Sequence, residues 1–231
     1  MDILVYLDAG VAPRSFRHTL KALKEELGHL FRIQKVDHQF FLKSPWEEKT
    51  ALIVMPGGRD VPYHAHLRGE ANRRIQAFVK EGGCYFGICA GAYYGASEVE
   101  FEKGEELEVC ESRELAFFPG KAIGPVFEKG VFRYDSESGS RNANIQWEGG
   151  VCSLYFNGGC YFKKAETYSN VKVIGYYLDL PQAPAAVVEC KVGKGKAILS
   201  GVHPEYALSH HQEPARKIFW SHLLSSICSS T

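Results

Sequence analysis

Apolar positions along the chain fall into two rhythms. Ile3 to Tyr6 is a short apolar run followed by Asp8-Ala9-Gly10 and Pro13, which predicts a strand and its turn. Phe16, Leu20, Leu23 and Leu27 then recur at helical spacing until Gly28 stops the pattern. Ile33 to Val36 is a weaker strand. Ala51 to Met55 is apolar at every position and ends at Pro56-Gly57-Gly58, as suits a parallel strand covered on both faces. Ile75, Phe78 and Val79 mark a helix that ends at Gly82-Gly83, and Cys84 to Ile88 is the next strand. Strand–helix alternation of this kind predicts a parallel sheet between helical layers.

Beyond about residue 98 the pattern changes. Glu98, Glu100, Glu102, Glu105, Glu106 and Glu108 read as a solvated acidic surface segment. Strand-like pieces follow around 115–134, 144–156, 172–178 and 185–190, with a Ser/Gly-rich loop from Tyr134 to Asn142. Val192 to Lys196 reads as a hairpin turn, and Ala197 to Gly201 as a strand. Pro214 to Ile227 is a closing amphipathic helix, with Ile218, Phe219, Leu223 and Ile227 on its buried face. The expectation is one α/β domain over residues 1–231. It is three-layered and flavodoxin-like, with a central, mostly parallel sheet that a few antiparallel strands join between 115 and 190.

Composition narrows the function. Of 231 residues, 45% are hydrophobic and 23% charged, which is ordinary for a globular chain. Lys+Arg and Asp+Glu both number 27, so a general electrostatic grip on nucleic acid or an anionic membrane is disfavoured. No apolar run approaches the roughly 20 residues of a membrane span. The start of the chain reads as a strand rather than a secretion signal. Seven widely spread cysteines, without CxxC spacing, read as reduced thiols in a cytoplasmic protein.

Three motifs at predicted strand ends carry chemistry. Gly87-Ile88-Cys89-Ala90-Gly91 has the small residues that a nucleophile elbow needs on its sharp turn. A helix N-terminus behind Cys89 favours its thiolate. His203-Pro204-Glu205 pairs a base with a carboxylate two residues on, which in extended chain points the same way. Pro56-Gly57-Gly58 offers a backbone N–H to an oxyanion, and Ala90 offers a second. Taken singly, these three also read as a buried cysteine, a surface turn and a strand-end turn. Together, at strand ends where α/β sheets place ligands, they read as one site.

The combination resembles the class I glutamine amidotransferase-like superfamily, whose members use a Cys-His-Glu triad. More closely, it resembles the N-terminal domain of fungal-type biotin–protein ligases. The residues carrying this are Ser44-Pro45-Trp46, Met55 to Tyr63, Gly87 to Gly95, Phe117 to Gly120, Tyr134 to Gly139, Tyr155 to Gly159 and Ser200 to Glu205. The resemblance implies catalytic Cys89, His203 and Glu205, with oxyanion donors at Gly58 and Ala90. Glutamine-hydrolysing members carry a glutamine four residues after the nucleophile, where this chain has Tyr93. The Gly-Arg-Gly-Arg signature of biotin ligation is absent from the chain.

Arg59, Asp60 and Tyr63 flank the mouth of the expected site and are read as substrate contacts; Tyr93 and Tyr94 read either as substrate contacts or as helix-face packing, and Asn157 either as a substrate contact or as a turn. His64 and His66 lie two apart in a predicted loop. A metal role there needs a third ligand, which the sequence does not name, so no metal or cofactor is assigned. The first functional expectation is a cysteine-nucleophile hydrolase or amidotransferase acting on a small amide. The alternative is a non-catalytic regulatory or binding module related to biotin–protein ligase, with a protein partner and no ligase activity of its own.

Overall fold

A computed structural model describes residues 1–148, 150–206 and 213–228, with side chains of the last segment described for 217–225. His210 and His211, expected in a solvated loop, lie outside the described residues, as do the side chains of Ile227 and Cys228.

The chain opens with β1 (Asp2–Tyr6), α1 (Pro13–Glu26), β2 (Arg32–Val36), α2 (His38–Lys43) and β3 (Thr50–Met55). It continues through α3 (Asp60–Leu67), α4 (Glu70–Lys80), β4 (Cys84–Ile88) and α5 (Ala90–Gly95). Strands β5 (Ala96–Phe101), β6 (Val109–Ser112), β7 (Phe118–Gly124), β8 (Arg141–Trp147) and β9 (Gly150–Phe156) follow. Then come β10 (Tyr161–Phe162), β11 (Val171–Tyr177), β12 (Ala185–Val192), β13 (Gly195–Ser200) and α6 (Glu213–Cys228).

Nine strands form one sheet in the order β2-β1-β3-β4-β13-β12-β11-β8-β9. The pairings from β2 to β13 are parallel, and those from β13 to β9 are antiparallel. The expected mostly parallel sheet is therefore corrected to a mixed one. The physical reason is local. After β13 no helical crossover intervenes: a hairpin at Val192–Gly195 folds β12 directly onto β13, and such a connection joins antiparallel strands. A second sheet, β10-β7-β5-β6, packs beside the first.

The central strands are buried on both faces, and their alternate residues enter different cores. Leu4, Tyr6, Ile53, Met55, Tyr85 and Leu199 face the side of α4, α5 and the small sheet. Ile3, Val5, Leu52, Val54, Phe86 and Ile198 face Phe16 and Leu23 of α1 and Phe219, Trp220 and Leu223 of α6. Each such aliphatic side chain contributes about 1.5–3 kcal/mol on full burial. Ile218, expected on the buried face of α6, is exposed; Trp220 takes the buried place.

Two further expectations are corrected. The acidic segment is not simply solvated: β5 alternates Val99 and Phe101 inward, and Glu102 is buried, accepting the Gly130 N–H at 2.7 Å. His64 and His66 lie on α3 rather than in a loop. Among the described residues, no helix is long and apolar enough to cross a membrane.

Candidate active site

Three parallel strands end at one cleft. Cys89 follows β4 and precedes α5, with φ 49° and ψ −102°. That positive φ is strained for a residue with a side chain and costs on the order of 1–3 kcal/mol. The turn is held from several sides. Cys89 N–H donates to Ser200 O at 2.8 Å, and Cys89 O accepts from Ala92 and Tyr93 at 2.9 and 3.0 Å. The flanking glycines are required by close approach. A Cβ on Gly87 would meet Gly91 O at 2.3 Å, and one on Gly91 would meet Met55 O at 2.0 Å.

Cys89 is 7% exposed and lines a cleft of about 580 Å³. Its thiol faces Asn157 O at 3.6 Å. His203 lies on the same cleft, 5% exposed, with its N–H donating to Tyr155 O at 2.9 Å. Its Nδ1 meets Glu205 Oε1 at 2.8 Å, and Glu205 is buried. The pair forms across a turn, closed by Tyr206 N–H on His203 O at 3.4 Å, and not along an extended strand as expected. Burial alone would depress the His203 pKa. The Glu205 carboxylate, with the neighbouring Cys89 sulfur, outweighs that and raises it to about 10.

Sequence reasoning missed Ser15. Its hydroxyl donates to Glu205 Oε1 at 2.9 Å and accepts the Gly57 N–H at 3.0 Å. It thus ties the Gly57-Gly58 loop to the carboxylate behind His203. A serine within an apolar helical repeat carries no motif that would have singled it out. Gly57 itself packs so closely that a Cβ would meet His203 Cε1 at 2.8 Å.

Gly58, with φ 149°, and Ala90 both line the cleft. Among the described residues, neither N–H donates to a protein acceptor. The Gly58 loop is braced by Arg59 N–H on Gly10 O at 2.8 Å and Ala12 N–H on Gly57 O at 3.0 Å.

The expected substrate contacts divide. Arg59 reaches the cleft and lies over the Tyr134 ring, 4.4 Å from its centre. Asn157 lines the cleft, and its side-chain oxygen is buried without a partner among the described residues. Tyr93 also lines it, buried, with its hydroxyl donating to Gly158 O at 3.1 Å. Asp60 is held by Arg113 Nε at 2.8 Å. Tyr63 does not reach the cleft. It is fully buried and supports the loop, its hydroxyl donating to Pro56 O at 3.2 Å and Gly57 O at 3.4 Å. Glu137, also missed, pairs with both Arg14 and the Tyr155 hydroxyl at the cleft.

Fold and site together define a mixed α/β protein with a buried His–Glu pair beside a cysteine at the ends of parallel strands. The chain belongs to the family described as biotin–protein ligase, N terminal, which matches residues 1–227. It is 44% identical over 208 residues to an uncharacterized protein of Chlamydia muridarum, covering 88% of this chain and 80% of that one. It is 41% identical over 214 residues to the biotin–protein ligase of Schizosaccharomyces pombe, covering 90% of this chain but only 34% of that enzyme. Among solved structures, PurLQS from Thermotoga maritima superposes with a TM-score of 0.61 at 16% identity, covering 97% of this chain and 98% of that chain. A GH42 β-galactosidase variant from G. stearothermophilus gives 0.58 at 13% identity, covering 96% of this chain and 29% of that one. At these identities the two structures are alike in fold alone.

Proposed function

We propose that the cleft is an acyl-transfer site and that the chain is a Cys-His-Glu hydrolase or amidotransferase of small amides, with the amidotransferase-like fold that its sequence resembles. The observation that carries this reading is the strained Cys89 turn facing a buried His203–Glu205 pair. The Cys89 thiolate attacks the amide carbonyl carbon, and the Gly58 and Ala90 N–H groups take up the negative charge on its oxygen. His203 protonates the departing amine, leaving a thioester on Cys89. His203 then takes a proton from water, whose attack releases the acid and restores the Cys89 thiolate beside protonated His203. Glu205 holds the Nδ1–H, and so keeps Nε2 for the reaction.

The cleft also argues for a substrate class. Arg59 has no carboxylate partner among the described residues, which suits an amide that carries an acidic group. Phe101, Phe132 and Tyr134 offer apolar surface to the rest of the molecule. Glutamine is a poor fit, because the Tyr93 ring occupies the place where glutamine-hydrolysing members have a polar side chain. Six described cysteines are unpaired, which supports a reducing, cytoplasmic setting.

Family membership favours a second reading, in which the fold serves as a regulatory or binding module related to biotin–protein ligase. This chain corresponds to about a third of the S. pombe enzyme. One experiment separates the two. The full chain is incubated with a panel of carboxylated small amides, and intact mass and amine release are followed. Acylation and turnover that vanish in Cys89→Ala support the enzyme. Saturable binding without an adduct or turnover supports the module.

A further inference from the structure

A second cluster lies outside the Cys89 chemistry. Asp8 follows β1, His38 opens α2 and His66 lies in the last turn of α3. One ligand atom from each comes within 4.8 Å of the others. Both imidazoles turn Nδ1 toward the same carboxylate. His38 Nδ1 contacts Asp8 Oδ2, and His66 Nδ1 lies 3.6 Å from Asp8 Oδ1. The two rings are 4.9 Å apart, centre to centre. We propose that Asp8, His38 and His66 form a binding site for a divalent transition-metal ion of the zinc type.

The donor set fits that class. Two imidazoles and one carboxylate suit zinc, cobalt or nickel, whereas magnesium and calcium prefer all-oxygen shells. Surrounding groups orient the ligands, as outer-shell partners of metal sites do. Ala9 N–H donates to Asp8 Oδ1 at 2.7 Å, and His38 N–H donates to Oδ2 at 3.2 Å. The Gln39 side-chain amide lies 2.6 Å from His38 Nε2, where its oxygen, once the amide is turned end for end, accepts the Nε2–H of a ring that ligates through Nδ1.

Without an ion, the fold turns two imidazoles toward one carboxylate that already accepts two backbone N–H groups. With an ion, both rings are neutral ligands. Tetrahedral bonds of about 2.0–2.1 Å separate ligand atoms by about 3.3 Å, so His38 and Asp8 part slightly on binding. The side chains are 18%, 26% and 36% exposed for Asp8, His38 and His66, which gives an ion access and leaves a position for water. The site also adjoins the cleft. Asp8 lies two residues before Gly10, which braces Arg59, and α3 starts directly after Arg59.

The test uses the full chain carrying Cys89→Ser, so that zinc cannot be captured by the cleft thiol, titrated with zinc chloride in a calorimeter. The expected result is one ion per chain, with a rise in melting temperature on addition of zinc. His66→Ala, and independently His38→Gln, should weaken binding at least about tenfold, since even outer-shell losses cost that much. His64→Ala, on the same helix, should bind like its parent. Absence of saturable binding overturns the proposal. So does binding that survives both His66→Ala and His38→Gln.

Discussion

The two halves of the large sheet do different work. From β2 to β13 the strands are parallel, and β1, β3 and β4 are buried at every position. Gly58, Cys89 and His203 all follow strands of this half. From β12 to β9 the strands are antiparallel, and β8 exposes alternate residues. This half and its loops supply Tyr155, Asn157 and Gly158, which form a wall of the cleft. Contacts that join the halves at the site include His203 backbone N–H to Tyr155 O, Tyr93 hydroxyl to Gly158 O and Cys89 thiol to Asn157 O. The groups proposed to react thus rest on backbone fixed from both faces, and the cleft wall rests on the half with a solvent face. Chemistry is expected to depend on the first half and substrate fit on the second.

The largest effect should come from the parallel half. Cys89→Ala is expected to lower turnover about a thousandfold or more, whereas Tyr155→Phe should change it less than about tenfold, mainly through KM. Equal losses in a kinetic assay would break the division between the halves.

Glu205→Gln comes next. His203 titrates near 10 in the folded chain, against an ordinary value of 6.5. A pKa raised on folding contributes stability that is fully present below 6.5 and lost as pH rises through about 10. The stability difference between the native chain and Glu205→Gln should therefore shrink across that window in urea denaturation. A constant difference from pH 6 to 10 would separate Glu205 from His203.

Ser15→Ala should cost about 1–3 kcal/mol in the same assay, because it leaves the buried Gly57 N–H without its acceptor. The smallest effect has the opposite sign. Cys89→Gly should raise stability by about 1 kcal/mol, since glycine tolerates the positive φ that cysteine occupies under strain. A loss of stability there would show that the turn stores no strain.

These positions also show what the sequence made legible. Strands β1, β3 and β4 and helices α1 and α4 announce themselves through local apolar patterns, and the elbow glycines through their spacing. Helix α2 has six residues and α3 eight, too short for a periodic pattern, so α3 resembles a loop in sequence and α2 leaves no signal. Strand β5 was hidden by its glutamates, although Val99 and Phe101 turn inward between them. The positions of Cys89, His203 and Glu205 were legible because each lies in a distinctive tripeptide or elbow. Ser15, Glu137 and the Asp8–His38–His66 cluster were not, since only tertiary contact over long sequence separations unites them. Tyr63 carried the right neighbourhood but the wrong direction, because sequence position does not say which side of a loop a ring supports.

The most direct measurement concerns Cys89 itself. The folded chain is treated with limiting iodoacetamide at neutral pH, and each cysteine peptide is quantified by mass spectrometry over time. The exposed Cys110 serves as reference; partial burial and nearby Glu108 and Glu100 push its thiol pKa up. An activated nucleophile paired with His203 should make Cys89 react at least about tenfold faster than Cys110, and His203→Asn should abolish that advantage. Alkylation of Cys110 ahead of Cys89, with no change in His203→Asn, would contradict it.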